Sequence, residues 1–325
     1  MEHSDRLLVA AAPLLVALTG PTGSGKSACA LQLARLLEQR RLPVEIVSVD
    51  SAQVYRGMDI GTAKPTRELR AQVPHHLIDI RDPAESFSAG DFVREAGAAI
   101  AAVRARGALP LLVGGTMLYL RALREGLAAM PAASPQIRRE IDALAAEQGW
   151  AAVHAELARV DAQAAARIAP QDAQRLQRAL EVFRLTGVPL SRWHQRAGAS
   201  PITDRWQCYA LWPDSRATLR QRLQSRFEAM LAAGLVDEVR ALYARGDLTS
   251  THPSMRAVGY RQLWPHCAGE ITLETATANA VTATAQLAKR QLTWLRRERE
   301  VTPLGDTSVG ALEALATRIS TAFHA

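Results

Sequence analysis

Gly20-Pro-Thr-Gly-Ser-Gly25-Lys26-Ser27 decides the fold. The spacing is G-x-x-x-x-G-K-[ST], a phosphate loop, and its flanks are those the motif requires. Before it, Leu14 to Thr19 is a short apolar run suited to a buried parallel strand. After it, Ala28 to Glu38 sets Ala30, Leu33, Leu36 and Leu37 at helical spacing. Glycines let backbone N–H groups converge on phosphate oxygens, and the helix N-terminus adds its partial positive charge. Lys26 supplies a full charge, and the Ser27 hydroxyl can hold Mg2+. Gly20, Pro21, Thr22, Gly23, Ser24 and Gly25 form the cradle between strand and helix. The loop specifies a diphosphate or triphosphate, and leaves open which one and what is done with it.

Working outward, four further apolar runs suit strands: Val44 to Val49, His76 to Ile80, Leu109 to Val113 and Gln207 to Leu211. Helical patterns separate the early ones, as βαβ units require. Ser88-x-x-Asp91 reads as a capping box that opens a helix running toward Arg106. After Gly126 the texture changes. From Pro135 to about Arg196 the chain is rich in Ala, Arg and Gln, with Leu176, Leu180 and Phe183 on one helix face and no strand signal. The expected fold is α/β: a P-loop NTPase-like parallel sheet flanked by helices, with an all-helical insertion. The expected core covers residues 1–130 and 200–325, the insertion 131–199, and the stretch 198–203 is a loop returning the chain to the sheet. In the last third, Leu219, Leu223, Phe227, Met230 and Leu231 form an apolar stripe, and Arg216, Arg220, Arg222 and Arg226 a basic face. A long helix is expected over Thr277 to Glu300. The stretch after Pro303 carries no clear pattern.

The 325 residues suffice for one large core and a smaller unit. A net charge of +7 favours a polyanionic partner, or serves solubility. Cys29, Cys208 and Cys267 are far apart and make no C-x-x-C, which argues against a zinc ribbon or a disulfide framework. They read as buried thiols of a reducing compartment. Leu7 to Leu18 is apolar, yet Met1 to Arg6 carries no net positive charge and Pro13 interrupts the run, so it is not read as a signal peptide. No stretch has the length of a membrane span. A cytoplasmic protein is expected.

Two further positions carry chemistry. Asp50 follows the second strand, at the edge where open parallel sheets face their ligand. It suits a general base, a partner of Mg2+, or a cap for the next turn. Gly114-Gly115-Thr116 ends the fourth strand at the same edge; the glycines permit close approach, and Thr116 offers a hydroxyl or a helix cap. His75 and His76 are too few to hold a metal and read as structural.

The phosphate loop is followed by Ser48-Val-Asp-Ser-Ala-Gln-Val-Tyr55-Arg-Gly-Met-Asp-Ile-Gly-Thr-Ala-Lys-Pro65, Pro74-His-His-Leu-Ile-Asp79, Val113-Gly-Gly-Thr-Met-Leu-Tyr119, Val258-Gly-Tyr260 and Lys289-Arg-Gln-Leu-Thr-Trp-Leu-Arg296. In that order, over residues 14 to 300, these blocks resemble the bacterial tRNA dimethylallyltransferase family. Gly23 stands where many members carry Ala, a change expected to matter little. The resemblance implies that the loop, although of the ATP-binding type, holds the diphosphate of dimethylallyl diphosphate with Mg2+. The N6 amine of adenosine-37 in a tRNA anticodon loop then attacks the allylic carbon. It further implies that Asp50 is the general base, Thr116 assists it, and Lys26 stabilises the leaving diphosphate. The RNA contacts implied are Asp50, Ser51, Ala52, Gln53 and Thr116; Arg138; Gln174, Arg175, Leu176, Gln177 and Arg178; Arg256, Ala257, Val258, Gly259, Tyr260 and Arg261; and Lys289, Arg290, Gln291, Leu292, Thr293, Trp294, Leu295 and Arg296. The partners expected are an anticodon stem-loop and the prenyl donor, without a membrane, the protein acting as a monomer. Three other readings share the loop: a P-loop kinase of a nucleotide or small metabolite, an isopentenyltransferase of free adenine nucleotides, and a GTPase-like RNA-binding module. The block Ser48 to Pro65 argues against the first. The helical insertion and the basic C-terminal helix argue against the second. The lack of an N-K-x-D stretch argues against the third.

Overall fold

The computed structural model describes residues 12–128, 130–195, 202–305 and 307–324. Part of the apolar N-terminal run (residues 7–11) and most of the return loop (198–201) lie outside them. Among the described residues, no helix is long and apolar enough to cross a membrane.

The chain divides into two compact units, one of residues 1–121 with 202–325 and one of residues 122–201. The larger unit is built on one sheet of six strands: β1 (Leu14–Thr19), β2 (Val44–Val49), β3 (His75–His76), β4 (Leu109–Gly114), β5 (Arg205–Leu211) and β6 (Val301–Leu304). Their order is β3-β2-β4-β1-β5-β6, and every pairing is parallel. Every residue of β1 and β2 is buried, which is why both read as apolar runs rather than alternating ones. The register aligns the strand ends: Thr19 lies opposite Gly114 and Ala210, and Val49 opposite Gly114. Gly20, Asp50 and Gly115 therefore leave the sheet along one edge.

The capping box opens the helix Ala89–Ala105: the Asp91 amide donates to Ser88 Oγ at 3.1 Å, and the Ser88 amide to Asp91 Oδ2 at 3.0 Å. Four expectations are corrected. The third strand is His75–His76 rather than His76 to Ile80, because Leu77 and Asp79 take φ of 62° and 58°, which no strand accommodates. The fifth strand starts at Arg205, two residues earlier than expected. The long helix is Leu273–Leu295, capped at Thr272, rather than Thr277 to Glu300. The stretch after residue 300 is structured: β6 is an edge strand, where Pro303 is tolerated, and the helix Val309–His324 follows. Leu312, Leu315, Ala316 and Ile319 of that helix join Leu33 and Leu37 in the core.

The smaller unit is helical. Pro135–Val160, with a non-helical Gly149 (φ 79°), Ala162–Ala165, Ala173–Thr186 and Leu190–Gln195 enclose their own core of Ile141, Val153, Leu157, Leu176 and Leu180. Asp161, Asp172 and Ser134 cap three of these helices through their side chains. Glu181 is fully buried here. Its carboxylate accepts from Arg138 Nε at 2.9 Å, Arg178 Nη1 at 2.7 Å and the Ser134 amide at 2.8 Å, so two cations compensate one buried charge.

Candidate active site

The phosphate loop leaves β1 at Thr19, whose hydroxyl donates to the Gly114 carbonyl at 2.9 Å and so ties the two strand ends. The helix Lys26–Glu38 starts at Gly25 in the left-handed region, without a side-chain cap, which leaves its first amides for an anion. Ser24 Oγ is buried and has no hydrogen-bond partner among the described residues. Lys26 Nζ donates to the Pro21 carbonyl at 2.9 Å. Burial lowers the Lys26 ammonium to about 8, with the Asp50 carboxylate opposing that shift and the Arg226 guanidinium adding to it. Gly23 packs beside the helix Arg216–Ala232. Its φ is 75°, and a methyl there would stand 2.7 Å from Leu223 Cδ2. An alanine there would require the end of the Leu223 side chain to shift.

Asp50 takes one of its expected roles, the cap. Oδ1 caps its own turn, accepting from the amides of Ala52 at 2.8 Å and Gln53 at 3.3 Å. Oδ2 makes no hydrogen bond among the described residues. Thr116 Oγ1 accepts from the Ser51 amide at 3.1 Å, so its own hydrogen is available to donate elsewhere. The Thr116 amide donates to the Val49 carbonyl at 3.2 Å, which joins the β4 end to the β2 end.

Arg226 was grouped with the exposed Arg216, Arg220 and Arg222, and the structure separates it from them. It lies at positions i+7 and i+3 from Leu219 and Leu223, on the buried side of the helix Arg216–Ala232, and is half-buried. Burial lowers its guanidinium and the charge of Asp50 raises it, which places all three ionic groups in one electrostatic neighbourhood. Arg226 makes no hydrogen bond or ion pair among the described residues. The spacing of 219, 223 and 226 was the signal in the sequence.

Gln291 is committed to the site rather than to the surface. Its Oε1 accepts from the Thr22 amide at 2.8 Å and its Nε2 donates to the Gly115 carbonyl at 2.9 Å, bracing the phosphate loop against the end of β4. Its helix neighbours Leu292 and Leu295 are buried, while Lys289, Arg290, Thr293 and Arg296 are exposed. Trp294 Nε1 donates to Glu298 at 2.8 Å. Arg256 and Arg261 are exposed, Ala257 and Val258 partly covered, Gly259 and Tyr260 buried. Within the smaller unit, Gln174 and Arg175 are exposed, Leu176 belongs to the core, Gln177 donates to Asp142 at 2.6 Å, and Arg138 and Arg178 hold Glu181. His75 binds the Val73 carbonyl and His76 the Glu45 carboxylate. No group of three His, Cys, Asp or Glu side chains among the described residues is placed to hold a metal.

The sequence pattern of the IPP transferase family matches residues 53–298. The chain belongs to this family. A tRNA dimethylallyltransferase of Bordetella pertussis is 56% identical over 288 residues, 88% of this chain and 90% of the relative. Among solved structures, the full-length tRNA isopentenylpyrophosphate transferase of Bacillus halodurans is 36% identical with a TM-score of 0.69, covering 96% of this chain and 97% of that one. A eukaryotic dimethylallyltransferase acting on tRNA reaches a TM-score of 0.76 at 25% identity, covering 95% of this chain and 78% of that one. The six-stranded parallel sheet flanked by helices is thus the fold of an IPP transferase, and the loop and strand ends described above lie within it.

Proposed function

We propose that the protein transfers a dimethylallyl group from dimethylallyl diphosphate to N6 of adenosine-37 in the anticodon loop of tRNA, releasing diphosphate. One arrangement carries this reading: an uncapped helix start with Lys26 and Arg226 beside it, and on the same sheet edge a carboxylate, Asp50, with one unengaged oxygen. The names of the relatives above support the same activity.

The bond from N6 to the allylic carbon forms as the bond from that carbon to the diphosphate oxygen breaks. The electron pair leaves with the diphosphate, and the N6 proton passes to Asp50 Oδ2. An allylic carbon supports a loosened, cation-like transition state, so catalysis consists mainly of positioning and of stabilising the departing charge. Loop amides, Lys26 and Arg226 bind that charge. The Thr116 hydroxyl is placed to orient the acceptor beside Asp50.

The residues present fit Mg2+. Ser27 is exposed, its hydroxyl has no partner among the described residues, and magnesium is commonly held by one or two protein oxygens together with substrate phosphates and water. The ion would supply further positive charge to the diphosphate. Exposed Arg175, Arg256, Arg261, Lys289, Arg290 and Arg296 suit contacts to RNA phosphates. The acceptor base leaves its stack to reach a site at the sheet edge, which a loop base does at lower cost than a duplex base. We place this activity in the cytoplasm, carried out by a monomer with the helical unit as an RNA-contacting insertion.

The test is direct. Purified protein is incubated with dimethylallyl diphosphate, Mg2+ and an anticodon stem-loop, and the RNA is weighed. One added prenyl group per stem-loop is expected. Unmodified RNA, or phosphorylation of a small molecule at the expense of ATP, overturns the assignment.

A further inference from the structure

The signature stretch between residues 50 and 65 is held by a carboxylate far away in sequence. Glu238 lies on the helix Leu235–Tyr243. Its Oε2 accepts from the amides of Asp59 at 2.8 Å and Ile60 at 2.7 Å. Its Oε1 accepts from the Gly61 amide at 3.1 Å and from the Tyr260 hydroxyl. Three successive backbone N–H groups converging on one carboxylate form an anion nest, filled here from within the protein. The fourth donor, Tyr260, is fully buried, and its ring lies against Gly61 so closely that a Cβ there would stand 2.5 Å from a ring carbon.

The clamped turn connects to the reacting edge. Gln53 Nε2 donates to the carbonyls of Thr62 at 3.3 Å and Ala63 at 3.4 Å, immediately past the clamp. Gln53 Oε1 accepts from the Ser48 hydroxyl at 2.9 Å, and the Gln53 amide donates to Asp50 Oδ1. Lys64, with 2% of its side chain exposed, closes the turn from behind through the Tyr55 carbonyl at 2.7 Å and Asp79 at 2.6 Å. None of these links touches the phosphate loop.

We propose that Glu238 is a positioning residue for the acceptor half of the reaction: by clamping residues 59–61 and Tyr260 it fixes Gln53, and through Gln53 the turn that carries Asp50. This rests on the function proposed above. The site discriminates carboxylate from amide. Glutamine at 238 presents an NH2 group to backbone N–H donors, so one side of the nest loses its acceptor and meets a second donor.

Two readouts on E238Q decide the matter. Hydrogen exchange of the 59–61 amides, measured on the protein alone, is expected to accelerate about tenfold or more as the local opening cost falls. In steady-state transfer, the KM for the stem-loop is expected to rise about tenfold, from disrupted charge-assisted hydrogen bonds, while the KM for dimethylallyl diphosphate stays within about twofold. A general loss of fold lowers the active fraction and leaves both KM values in place. Unchanged exchange overturns the clamp; faster exchange with both KM values at wild-type levels overturns its role in acceptor binding. Should E238Q fail to fold, Y260F removes one donor and keeps the carboxylate, and the same pattern is expected at a few-fold, with unchanged exchange again overturning the clamp. If the wild-type protein transfers nothing, the proposed function falls first and the acceptor role with it, whereas normal transfer with unchanged exchange sinks the clamp alone.

Discussion

Raising the pH from 7 to 9 should weaken diphosphate binding about tenfold, and Lys26 is the reason. Burial strips water from its ammonium and lowers it to about 8; Asp50 partly restores the charge and Arg226 opposes it. With a pKa near 8, about nine molecules in ten carry the charge at pH 7 and about one in ten at pH 9. A bound diphosphate favours the protonated form. Binding above pH 8 must therefore take up a proton, and the apparent affinity falls with the charged fraction. The ligand does not mask this effect, because a phosphoryl group completes its last ionisation near pH 6 and its charge is nearly constant above 7. An ordinary lysine, near 10.4, would leave the affinity flat over the same range. The assay is calorimetric titration with isopentyl diphosphate, a saturated analogue that cannot form an allylic cation, in excess Mg2+ and without RNA. Lys26→Arg serves as control, since its guanidinium stays charged throughout. A flat wild-type profile from pH 7 to 9, or an equal slope in Lys26→Arg, would refute the assignment of the shifted ammonium to this site.

Asp50→Ala should lower the single-turnover rate by about 10²- to 10⁴-fold, the usual worth of a positioned base, with stem-loop affinity nearly unchanged; a near-normal rate constant removes Asp50 from the mechanism. Gln291→Leu keeps the volume but severs the brace between Thr22 and Gly115. Its diphosphate Kd should rise about tenfold, as expected for two lost hydrogen bonds, and a wild-type Kd would mean the loop needs no brace. RNA affinity should fall linearly with the logarithm of salt concentration, with a slope of about −0.7 per phosphate contacted. Constant affinity from low to high salt would move the RNA site away from Arg175, Lys289, Arg290 and their neighbours.

What the sequence made legible was local. Leu14 to Glu38 could be read because a buried strand, a glycine loop and an amphipathic helix each write their pattern within a few residues. The capping box at Ser88 was equally local. The third strand was over-extended because Leu77-Ile-Asp-Ile80 is as apolar as a strand. The backbone turns there instead, which lets Asp79 meet Lys64 and Arg70. The last helix is written only in the helical spacing of Leu312, Leu315, Ala316 and Ile319, and β6 is hidden by its four-residue length and its proline. The roles of Gln291 and Glu238 lie beyond any local pattern. Gln291 binds partners 269 and 176 positions away, and Glu238 braces a turn 177 to 179 positions away. Each is a polar residue on an amphipathic helix, and nothing in its neighbourhood separates it from a solvated one.

The packing of the helix Val309–His324 against Leu33 and Leu37 has a consequence for biosynthesis. The helix that covers the flank of the phosphate-loop helix leaves the ribosome long after it. Synthesis runs at about 5–20 residues per second, so the greasy flank waits on the order of 15 to 60 seconds for its cover. During that interval the nascent chain is a natural client for a holding chaperone, and a frameshift or nick near residue 300 would strand it in that half-dressed condition.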